Sequence, residues 1–313
     1  MKSILITGIS GFVGTNLVKY FAGNSDYKIY GLDINNPKID NVDKIWNWSE
    51  LDLIKDIDVV IHLAGKAHDL KNSSDDKAYF DINYGLTKTI FDWYKKSNAT
   101  KFFLMSSVKA VADVVNGELT EDVVPNPITA YGKSKIMAEE YIQSVELPDD
   151  KGFYIFRPCM IHGPGNKGNL NLLYSLVSKG LPWPLASFDN KRSFLSVQNL
   201  AFVFSSFIDG NIKSGIYNIS DNEPISTNKL IEIISEGVGK RCKLWHISTA
   251  FIKFVAKIGD AIRLPLNSER LQKLTENYVV SNNKLKSVLF TELPLSSTSG
   301  LKLTVQSFSK KNN

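Results

Sequence analysis

The sequence predicts an α/β protein, in which a doubly wound parallel sheet is followed by a smaller, mostly helical C-terminal domain. Two patterns support this prediction. Short apolar runs alternate with amphipathic stretches through the first half of the chain, as strands and helical crossovers do in parallel βαβ units. Strand-length runs such as residues 58–63 barely alternate in polarity, which suits strands that helices cover on both faces.

The predicted elements follow one another in βα order until residue 157. We expect strands at 3–7, 28–32, 58–64, 101–106 and 152–157, and helices at 12–22, 78–97 and 131–145. Beyond Arg157-Pro158 the alternation becomes irregular. We therefore assign residues 1–165 and 193–218 to the first domain, and residues 166–192 and 219–313 to the second.

One helix of the second domain has a pronounced apolar face. Residues 248–262 carry four large apolar side chains at helical spacing: Phe251, Phe254, Val255 and Ile258. Such a stripe usually faces the core, so we expect core packing in preference to a membrane or a partner protein.

Composition places the chain among globular proteins with a large core. It has 313 residues, 43% of them hydrophobic, and a net charge of +5 from 37 Lys and Arg against 32 Asp and Glu. So thin an excess argues against a nucleic-acid partner. Two cysteines are too few for a disulfide framework, no apolar run reaches the ~18 residues that cross a bilayer, and the histidines lack metal-ligand spacing. We expect a cytoplasmic protein without membrane contact or metal.

A glycine-rich turn lies directly between the first predicted strand and the first helix. It reads Gly8-Ile9-Ser10-Gly11-Phe12-Val13-Gly14. Glycines here allow a tight turn and let backbone N–H groups at the helix start approach a diphosphate. Taken alone the turn could be purely structural. The candidate cofactor contacts in it are Gly8, Gly11, Phe12, Val13 and Gly14.

An acidic residue ends the second predicted strand, about 20 residues after the glycines. At this point the carboxylate of Asp33 can accept hydrogen bonds from both ribose hydroxyls of an adenosine. It would repel a 2′-phosphate, and no arginine follows in residues 34–37, so NAD is favoured over NADP. A later strand ends in residues past which the cofactor backbone would run: Leu63, Ala64 and Gly65.

Tyr131 and Lys135 lie four residues apart on a predicted helix and therefore share a face. A tyrosine with a pKa near 10 is a poor base at neutral pH, but an ammonium and an oxidised nicotinamide ring would stabilise its phenolate. Ser107 follows a strand at the edge where ligands bind, and it could bond a substrate oxygen that exchanges a proton with Tyr131. Ser106 is expected to be a structural neighbour. An isolated pair at this spacing is commonly an exposed tyrosine beside a solvated lysine. The catalytic interpretation is favoured because the pair follows the glycine turn and the acidic residue in the chain, each after a predicted strand.

Taken together, these motifs resemble those of the extended short-chain dehydrogenase/reductases. The likeness rests on Gly8-x-x-Gly11-x-x-Gly14, Asp33, Leu63-Ala64-Gly65, Asn83, Ser106-Ser107, Tyr131-x-x-x-Lys135, Arg157-Pro158 and Gly163-Pro164-Gly165. Within that family the match is to nucleotide-sugar 4-epimerases of the UDP-glucose 4-epimerase kind, 4,6-dehydratases and 4-keto reductases. It runs from Met1 to about residue 215 and more loosely beyond.

The resemblance implies a Rossmann-like domain that binds NAD and a C-terminal domain that holds a nucleotide-sugar, with a UDP-sugar favoured. It implies that Tyr131 is the acid/base, that Lys135 lowers its pKa and holds the nicotinamide ribose, and that Ser107 orients the sugar oxygen. Pro158 would lie along the nicotinamide, and Asn83 would contact the cofactor unless it is a simple surface amide. A homodimer through helices 78–97 and 131–145 is also implied.

Several polar residues are candidates for binding the substrate. Asn169 opens a helical pattern after the glycine-rich loop 163–168, a suitable start for an anion-binding helix. Arg192 lies where related enzymes place a phosphate-binding arginine, and Arg270 is a second candidate. Lys66 and His68 follow the predicted strand 58–64 and could face the sugar.

Two departures from the family pattern narrow the reaction. The 4,6-dehydratases place an Asp-Glu pair after the catalytic hydroxyl, whereas Val108-Lys109 follows Ser107 here, so a dehydratase is disfavoured. Many epimerases carry Val-Tyr-Gly where this chain has Ala110-Val111-Ala112. The leading hypothesis is an NAD-dependent UDP-sugar 4-epimerase that acts by transient oxidation at C4. The alternatives are an NAD(P)H-dependent UDP-4-keto-6-deoxy-sugar 4-reductase of surface polysaccharide biosynthesis, and a dinucleotide-binding regulatory protein without catalysis.

Overall fold

Strands and helices alternate through the first half of the computed structural model, in the predicted order. The structure describes residues 1–66, 75–166, 169–262 and 267–309. The strands are β1 (Lys2–Thr7), β2 (Tyr27–Leu32), β3 (Lys44–Trp46), β4 (Val59–His62), β5 (Lys101–Met105), β6 (Glu118–Leu119), β7 (Gly152–Pro158), β8 (Met160–His162), β9 (Phe194–Ser196), β10 (Gly215–Ile219) and β11 (Val279–Val280).

The helices flank the strands in the first half of the chain and dominate the second half. They are α1 (Phe12–Phe21), α2 (Asp76–Tyr79), α3 (Leu86–Lys96), α4 (Ala130–Ser144), α5 (Asn169–Ser178), α6 (Val197–Asp209), α7 (Thr227–Val238), α8 (Thr249–Ile262), α9 (Ser268–Thr275), α10 (Asn283–Val288) and α11 (Ser297–Ser309). A π-helical segment, Phe80–Gly85, joins α2 to α3, and short 3₁₀ helices cover Trp48–Leu53 and Val108–Ala110. Among the described helices, none is both long and apolar enough to span a bilayer.

Seven parallel strands form the main sheet in the order β3-β2-β1-β4-β5-β7-β10. The strand order reverses between β1 and β4, which are hydrogen-bonded neighbours with Thr7 opposite His62. In open α/β sheets, ligands bind outside the carboxyl ends of the strands at such a reversal. The predicted Rossmann-like fold class is confirmed, and its topology places the ends of β1, β2, β4 and β5 at the ligand-binding edge.

Both faces of the sheet are buried, which explains the weak polarity alternation of the strands. Ile4 and Ile6 pack into one cluster and Leu5 into another, and Phe103 and Phe102 are divided in the same way. Alternate residues of a strand point to opposite faces, so a sheet covered on both sides needs apolar residues at nearly every position.

A third apolar cluster lies in the C-terminal half. It is built largely from α5, α7, α8 and α11, with Val177, Ile231, Ile234, Leu301 and Val305 among its buried members. The chain returns to the main sheet between these helices, because β10 pairs with β7. The two-domain division and its boundaries stay a prediction.

The expected packing of the α8 stripe was wrong. Phe251, Phe254 and Ile258 are 57%, 61% and 41% exposed, while Ile252 and Ala256 of the same helix are buried. The helix is apolar over more than half of its circumference. Periodicity alone therefore could not decide which part of this broad apolar surface meets the core.

Candidate active site

The glycine turn after β1 is shaped by close backbone contacts. Gly8 has a φ of +66°, a conformation that side chains with a Cβ rarely adopt. A Cβ on Gly14 would lie 2.5 Å from the carbonyl oxygen of Ile9, and one on Gly8 would lie 2.8 Å from the amide nitrogen of Ala64. Helix α1 begins directly after Gly11, the N-cap, which contributes no side-chain bond. The turn therefore leaves the amino end of α1 open to an anion such as a diphosphate.

Gly14→Ala should disrupt this turn. The added methyl group would overlap the Ile9 backbone, which cannot rotate away as a flexible side chain can. We expect a loss of about 1–3 kcal/mol in the free energy of unfolding, and NAD binding weakened at least tenfold because the turn would be displaced. Urea denaturation and NAD titration measure the two effects. Gly23→Ala is the control, since its Cβ would meet only the Tyr20 carbonyl oxygen at 3.7 Å; equal behaviour of the two variants would contradict the interpretation.

Asp33 lies beside the glycine turn. It is 6% exposed, and its Oδ2 accepts hydrogen bonds from the backbone nitrogen and the hydroxyl of Ser10, at 3.0 and 2.8 Å. Its Oδ1 accepts a bond from the Ile34 nitrogen at 2.7 Å. A carboxylate has about four acceptor positions, so these contacts fix its orientation and leave room for a ribose hydroxyl.

Residues 63–66 connect the glycine turn to the predicted catalytic helix. Asn83, in the π-helical segment, is 1% exposed, which excludes a simple surface amide. Its Oδ1 accepts a bond from the Lys66 nitrogen at 2.7 Å, and its Nδ2 donates to the hydroxyl of Ser134 on α4 at 3.0 Å. A Cβ on Gly65 would lie 2.9 Å from Asn83 Oδ1 and 3.2 Å from Lys135 Nζ. A larger residue at position 65 would therefore displace the Asn83 amide or the Lys135 ammonium, and the absence of a side chain lets residues 63–66 pack close to α4.

The structure brings Ser107, Tyr131 and Lys135 together. Thr129 caps α4 by accepting a bond from the Gly132 nitrogen at 3.2 Å, which places Tyr131 in the first turn and Lys135 in the next. The Tyr131 hydroxyl is hydrogen-bonded to the side chain of Ser107, and Lys135 Nζ donates to the Met105 carbonyl at 2.9 Å. They line one cleft with Leu63, Gly65, Lys66, Met105, Ser106, Pro158, Cys159 and Ile161.

Burial is the largest influence on the pKa values of Tyr131 and Lys135. Burial raises the pKa of Tyr131, and the hydrogen bond from Ser107 opposes that rise only in part. Burial also lowers the pKa of Lys135 to about 8, while the Glu139 carboxylate acts in the opposite direction. Among the protein's own groups, loss of solvation therefore outweighs charge attraction. The lowering of the Tyr131 pKa by Lys135 together with an oxidised nicotinamide ring stays a prediction.

The lowered pKa of Lys135 predicts a pH-dependent cost to stability. The unfolded chain, with an ordinary lysine pKa of 10.5, binds this proton more tightly than the folded chain, whose Lys135 pKa is about 8. The cost is therefore fully present below pH 8 and is relieved as the pH rises from 8 towards 10.5. Lys135→Met should be more stable than wild type at pH 7 by about 1–3 kcal/mol, with the difference shrinking at pH 10.

Urea denaturation at the two pH values measures this difference, and Lys133→Met, an exposed neighbour on the same helix, is the control. The prediction would be contradicted by a Lys135→Met variant that is less stable than wild type at pH 7. It would also be contradicted if the difference in unfolding free energy between the two proteins did not change with pH.

A buried ion pair behind the cleft was missed by the sequence analysis. Glu139 and Arg157 are 0% and 2% exposed, and Arg157 Nη2 donates to Glu139 Oε2 at 2.6 Å. Ser106, as expected a structural neighbour, donates its hydroxyl hydrogen bond to Glu139. The pair joins α4 to β7 one helical turn beyond Lys135. The available signal was the four-residue spacing from Lys135 to Glu139, which continues the face that carries Tyr131.

The predicted substrate-binding residues are dispersed. Lys66 lines the cleft, with its Nζ 5.5 Å from the centre of the Tyr79 ring. Arg192 donates to the Lys273 carbonyl and lies 4.0 Å from a Glu276 carboxylate oxygen. Asn169 begins α5 and Arg270 is exposed on α9. Within the described residues, Arg192 and Arg270 are not part of the cleft lining. The Asn169 side chain and His68 lie outside the part of the chain that the structure describes.

Comparison with known proteins agrees with this geometry. A family model described as "NAD dependent epimerase/dehydratase family" matches residues 4–220. The chain is 30% identical to a UDP-glucose 4-epimerase of Vibrio cholerae, over 100% of this chain and 97% of the relative. It is 27% identical to an N-acetyl-alpha-D-glucosaminyl-diphospho-ditrans,octacis-undecaprenol 4-epimerase of Escherichia coli O157:H7, over 78% and 75% of the two chains.

Solved structures extend the likeness to the whole fold. A UDP-glucuronic acid 4-epimerase from Bacillus cereus, crystallised in complex with NAD, has a TM-score of 0.76 at 20% identity and covers 99% of this chain and 100% of its own. The family model spans well over half of the sequence, and it covers the glycine turn, Asp33, Ser107, Tyr131 and Lys135. The resemblance drawn from the motifs is thereby confirmed, and the chain belongs to the NAD dependent epimerase/dehydratase family.

Proposed function

We propose that the protein is an NAD-dependent UDP-sugar 4-epimerase. The observation that carries the proposal is the hydrogen bond between Ser107 and Tyr131, beside Lys135, in a cleft connected to the glycine turn through residues 63–65. The 4-epimerase named for the Vibrio cholerae relative, which aligns over the whole chain, supports the reaction and the substrate class.

The residues present fit NAD. The clearest support is the glycine turn, in which Gly8 has a φ of +66° and Gly11 leaves the amino end of α1 without a side-chain cap, together with the oriented carboxylate of Asp33. The groups that would hold the cofactor are Gly8, Gly11, Phe12, Val13, Gly14, Asp33, Leu63, Ala64, Gly65, Tyr131, Lys135 and Pro158. Asn83 acts on this site by holding the Lys66 backbone. When bound, NAD accepts a hydride from a sugar carbon and returns it.

The protein's own residues would manage the proton. Tyr131 takes the proton of the C4 hydroxyl and later gives it back. Ser107, which donates its one hydroxyl proton to Tyr131 in this structure, would turn that proton to the sugar oxygen when the substrate binds. Lys135 places an ammonium beside them, held in position by the Met105 carbonyl. Lys66 is the best-placed of the proposed sugar contacts. Arg192, Arg270 and Asn169 would reach the diphosphate only if the substrate extends beyond the cleft lining.

Incubation of the purified chain with UDP-glucose and UDP-N-acetylglucosamine, without added cofactor, tests the proposal. We expect epimerised product, and NAD in the supernatant of the denatured protein, because the cofactor ends each cycle unchanged. Turnover that requires added NADH or NADPH and a 4-keto sugar would replace the epimerase with the 4-reductase. Bound NAD with no turnover on either substrate class would favour the regulatory protein.

The homodimer through helices α3 and α4 and the cytoplasmic location stay predictions.

A further inference from the structure

Helix α8 exposes a continuous apolar face to solvent. Phe251, Phe254 and Ile258 are spaced three and four residues apart and are 57%, 61% and 41% exposed. We call these three residues the α8 face. Because residues at this spacing lie on one side of a helix, the three side chains form one stripe. Trp245, in the segment that leads into the helix, is 50% exposed as well.

The chain around the α8 face is strongly cationic. Residues 240–258 contain five Lys or Arg and no Asp or Glu. The one carboxylate of α8, Asp260, lies near its end and accepts hydrogen bonds from the backbone nitrogen and hydroxyl of Ser268. All five cations are exposed: Lys240, Arg241, Lys243, Lys253 and Lys257. None of the ion pairs found among the described residues involves them. The partner of this surface therefore needs an apolar layer and, next to it, negative charge.

A second copy of this chain would supply an apolar layer but not the negative charge. A twofold interface brings the same patch of both subunits together, so Lys253 and Lys257 of one α8 would lie near the same two cations of the other. A transmembrane arrangement fails on length, because the 14 residues of α8 span about 21 Å, against the roughly 30 Å of a bilayer core.

We propose that α8 docks the protein on the surface of an anionic lipid bilayer. The helix would lie in the plane of the membrane, with the α8 face at the boundary between headgroups and acyl chains. Lys253 and Lys257 would extend from the side of the helix to lipid phosphates. A half-exposed tryptophan beside the helix fits the same boundary, where aromatic rings with a polar edge concentrate.

The expectation of no membrane contact rested on the lack of a bilayer-length apolar run. That criterion detects helices that span a bilayer and is blind to helices that lie on it. The proposal does not depend on the epimerase reaction, because the α8 face and the catalytic cleft share no residue.

Sedimentation of the full chain with lipid vesicles tests the proposal. We expect the protein to sediment with vesicles of phosphatidylcholine and phosphatidylglycerol, to stay in solution with phosphatidylcholine alone, and to be released by salt. The variant Phe251→Ser/Phe254→Ser should bind at least tenfold more weakly because the apolar contact is lost. Lys253→Gln/Lys257→Gln should bind about 25-fold more weakly, at about fivefold for each cation near an anionic surface.

Phe290→Ser is the matched control, because Phe290 is 98% exposed and lies outside α8. It should bind vesicles as wild type does, and all three variants should keep wild-type epimerase activity and unfolding temperature. Wild-type protein that stays in solution with anionic vesicles overturns the proposal. So does equal loss of binding in the Phe290 variant. A light-scattering dimer that becomes monomeric only in the Phe251/Phe254 variant, without vesicle binding, would assign the face to a second copy instead.

Discussion

Replacing Tyr131 with phenylalanine should lower turnover by about 10²–10⁴-fold, the range that a positioned proton-transfer group contributes. The substitution removes one oxygen atom from a side chain whose hydroxyl is bonded to Ser107 in the cleft. Without that oxygen, the cleft loses the group that we propose accepts the C4 hydroxyl proton. The ring and its edge-on contact with Tyr79, at 6.1 Å between centres, are preserved.

The fold should tolerate this change. One hydrogen bond is lost, which costs about 1 kcal/mol, and NAD should remain bound because the glycine turn and Asp33 are untouched. Tyr141→Phe, on the same helix but bonded to Asp92 at a distance from the cleft, is the control and should keep wild-type turnover. Tyr131→Phe protein that retains full activity with a normal fold would remove Tyr131 from the mechanism.

Replacing Glu139 with glutamine should destabilise the protein by about 3–5 kcal/mol, the cost of breaking a buried ion pair from one side. The amide is nearly the same shape as the carboxylate, so the loss reports charge. Arg157, 2% exposed, would keep its positive charge in an apolar environment with no carboxylate to balance it. Its Nη1 already lacks a hydrogen-bond partner among the described residues. The guanidinium therefore has no second acceptor there that could replace the Glu139 carboxylate.

Two further variants isolate this effect. Glu140→Gln, exposed and next in sequence, should change the free energy of unfolding by less than about 0.5 kcal/mol. The double variant Glu139→Gln/Arg157→Met should recover part of the loss, because it removes the unbalanced charge. Urea denaturation compares all three. If Glu139→Gln unfolds at the same urea concentration as Glu140→Gln, the pair contributes little to the fold.

Glu139 also connects stability to the chemistry of the cleft. Its carboxylate raises the pKa of Lys135 against the lowering effect of burial. Glu139→Gln should therefore lower the Lys135 pKa below its value of about 8, so that a smaller fraction of Lys135 is protonated at neutral pH. A loss of activity in this variant that is partly reversed at lower pH would separate the electrostatic effect from unfolding.

Local patterns predicted most of the fold correctly. The strand of residues 58–63 is buried on both faces, which requires a run of apolar residues. The turn Gly8–Gly14 has a backbone geometry that requires glycines at fixed spacing. Both requirements are visible in a short stretch of sequence. The spacing of Tyr131 and Lys135 is likewise a local property, since a helix puts residues four apart on one side. Such features can be predicted without knowing which distant segments pack against them.

Properties that depend on distant neighbours were not predicted. Asn83 could be a surface amide or a buried one until the Lys66 backbone and Ser134 were seen to surround it. The pairing of Glu139 with Arg157 joins a helix to a strand across 18 positions. Periodicity also could not show which part of the broad apolar surface of α8 is buried, because it indicates that a helix has an apolar side and not which segment packs against it.

Periodicity and motif spacing along the chain predict the α/β class, the glycine turn with its acidic partner, and the shared helical face of Tyr131 and Lys135. The pairing of Glu139 with Arg157, the burial of Asn83, and the exposure of Phe251 and Phe254 emerge only when the chain is folded. Backbone conformation and periodicity are encoded by neighbours along the chain, whereas solvation and electrostatic energy depend on which remote segments close over a side chain.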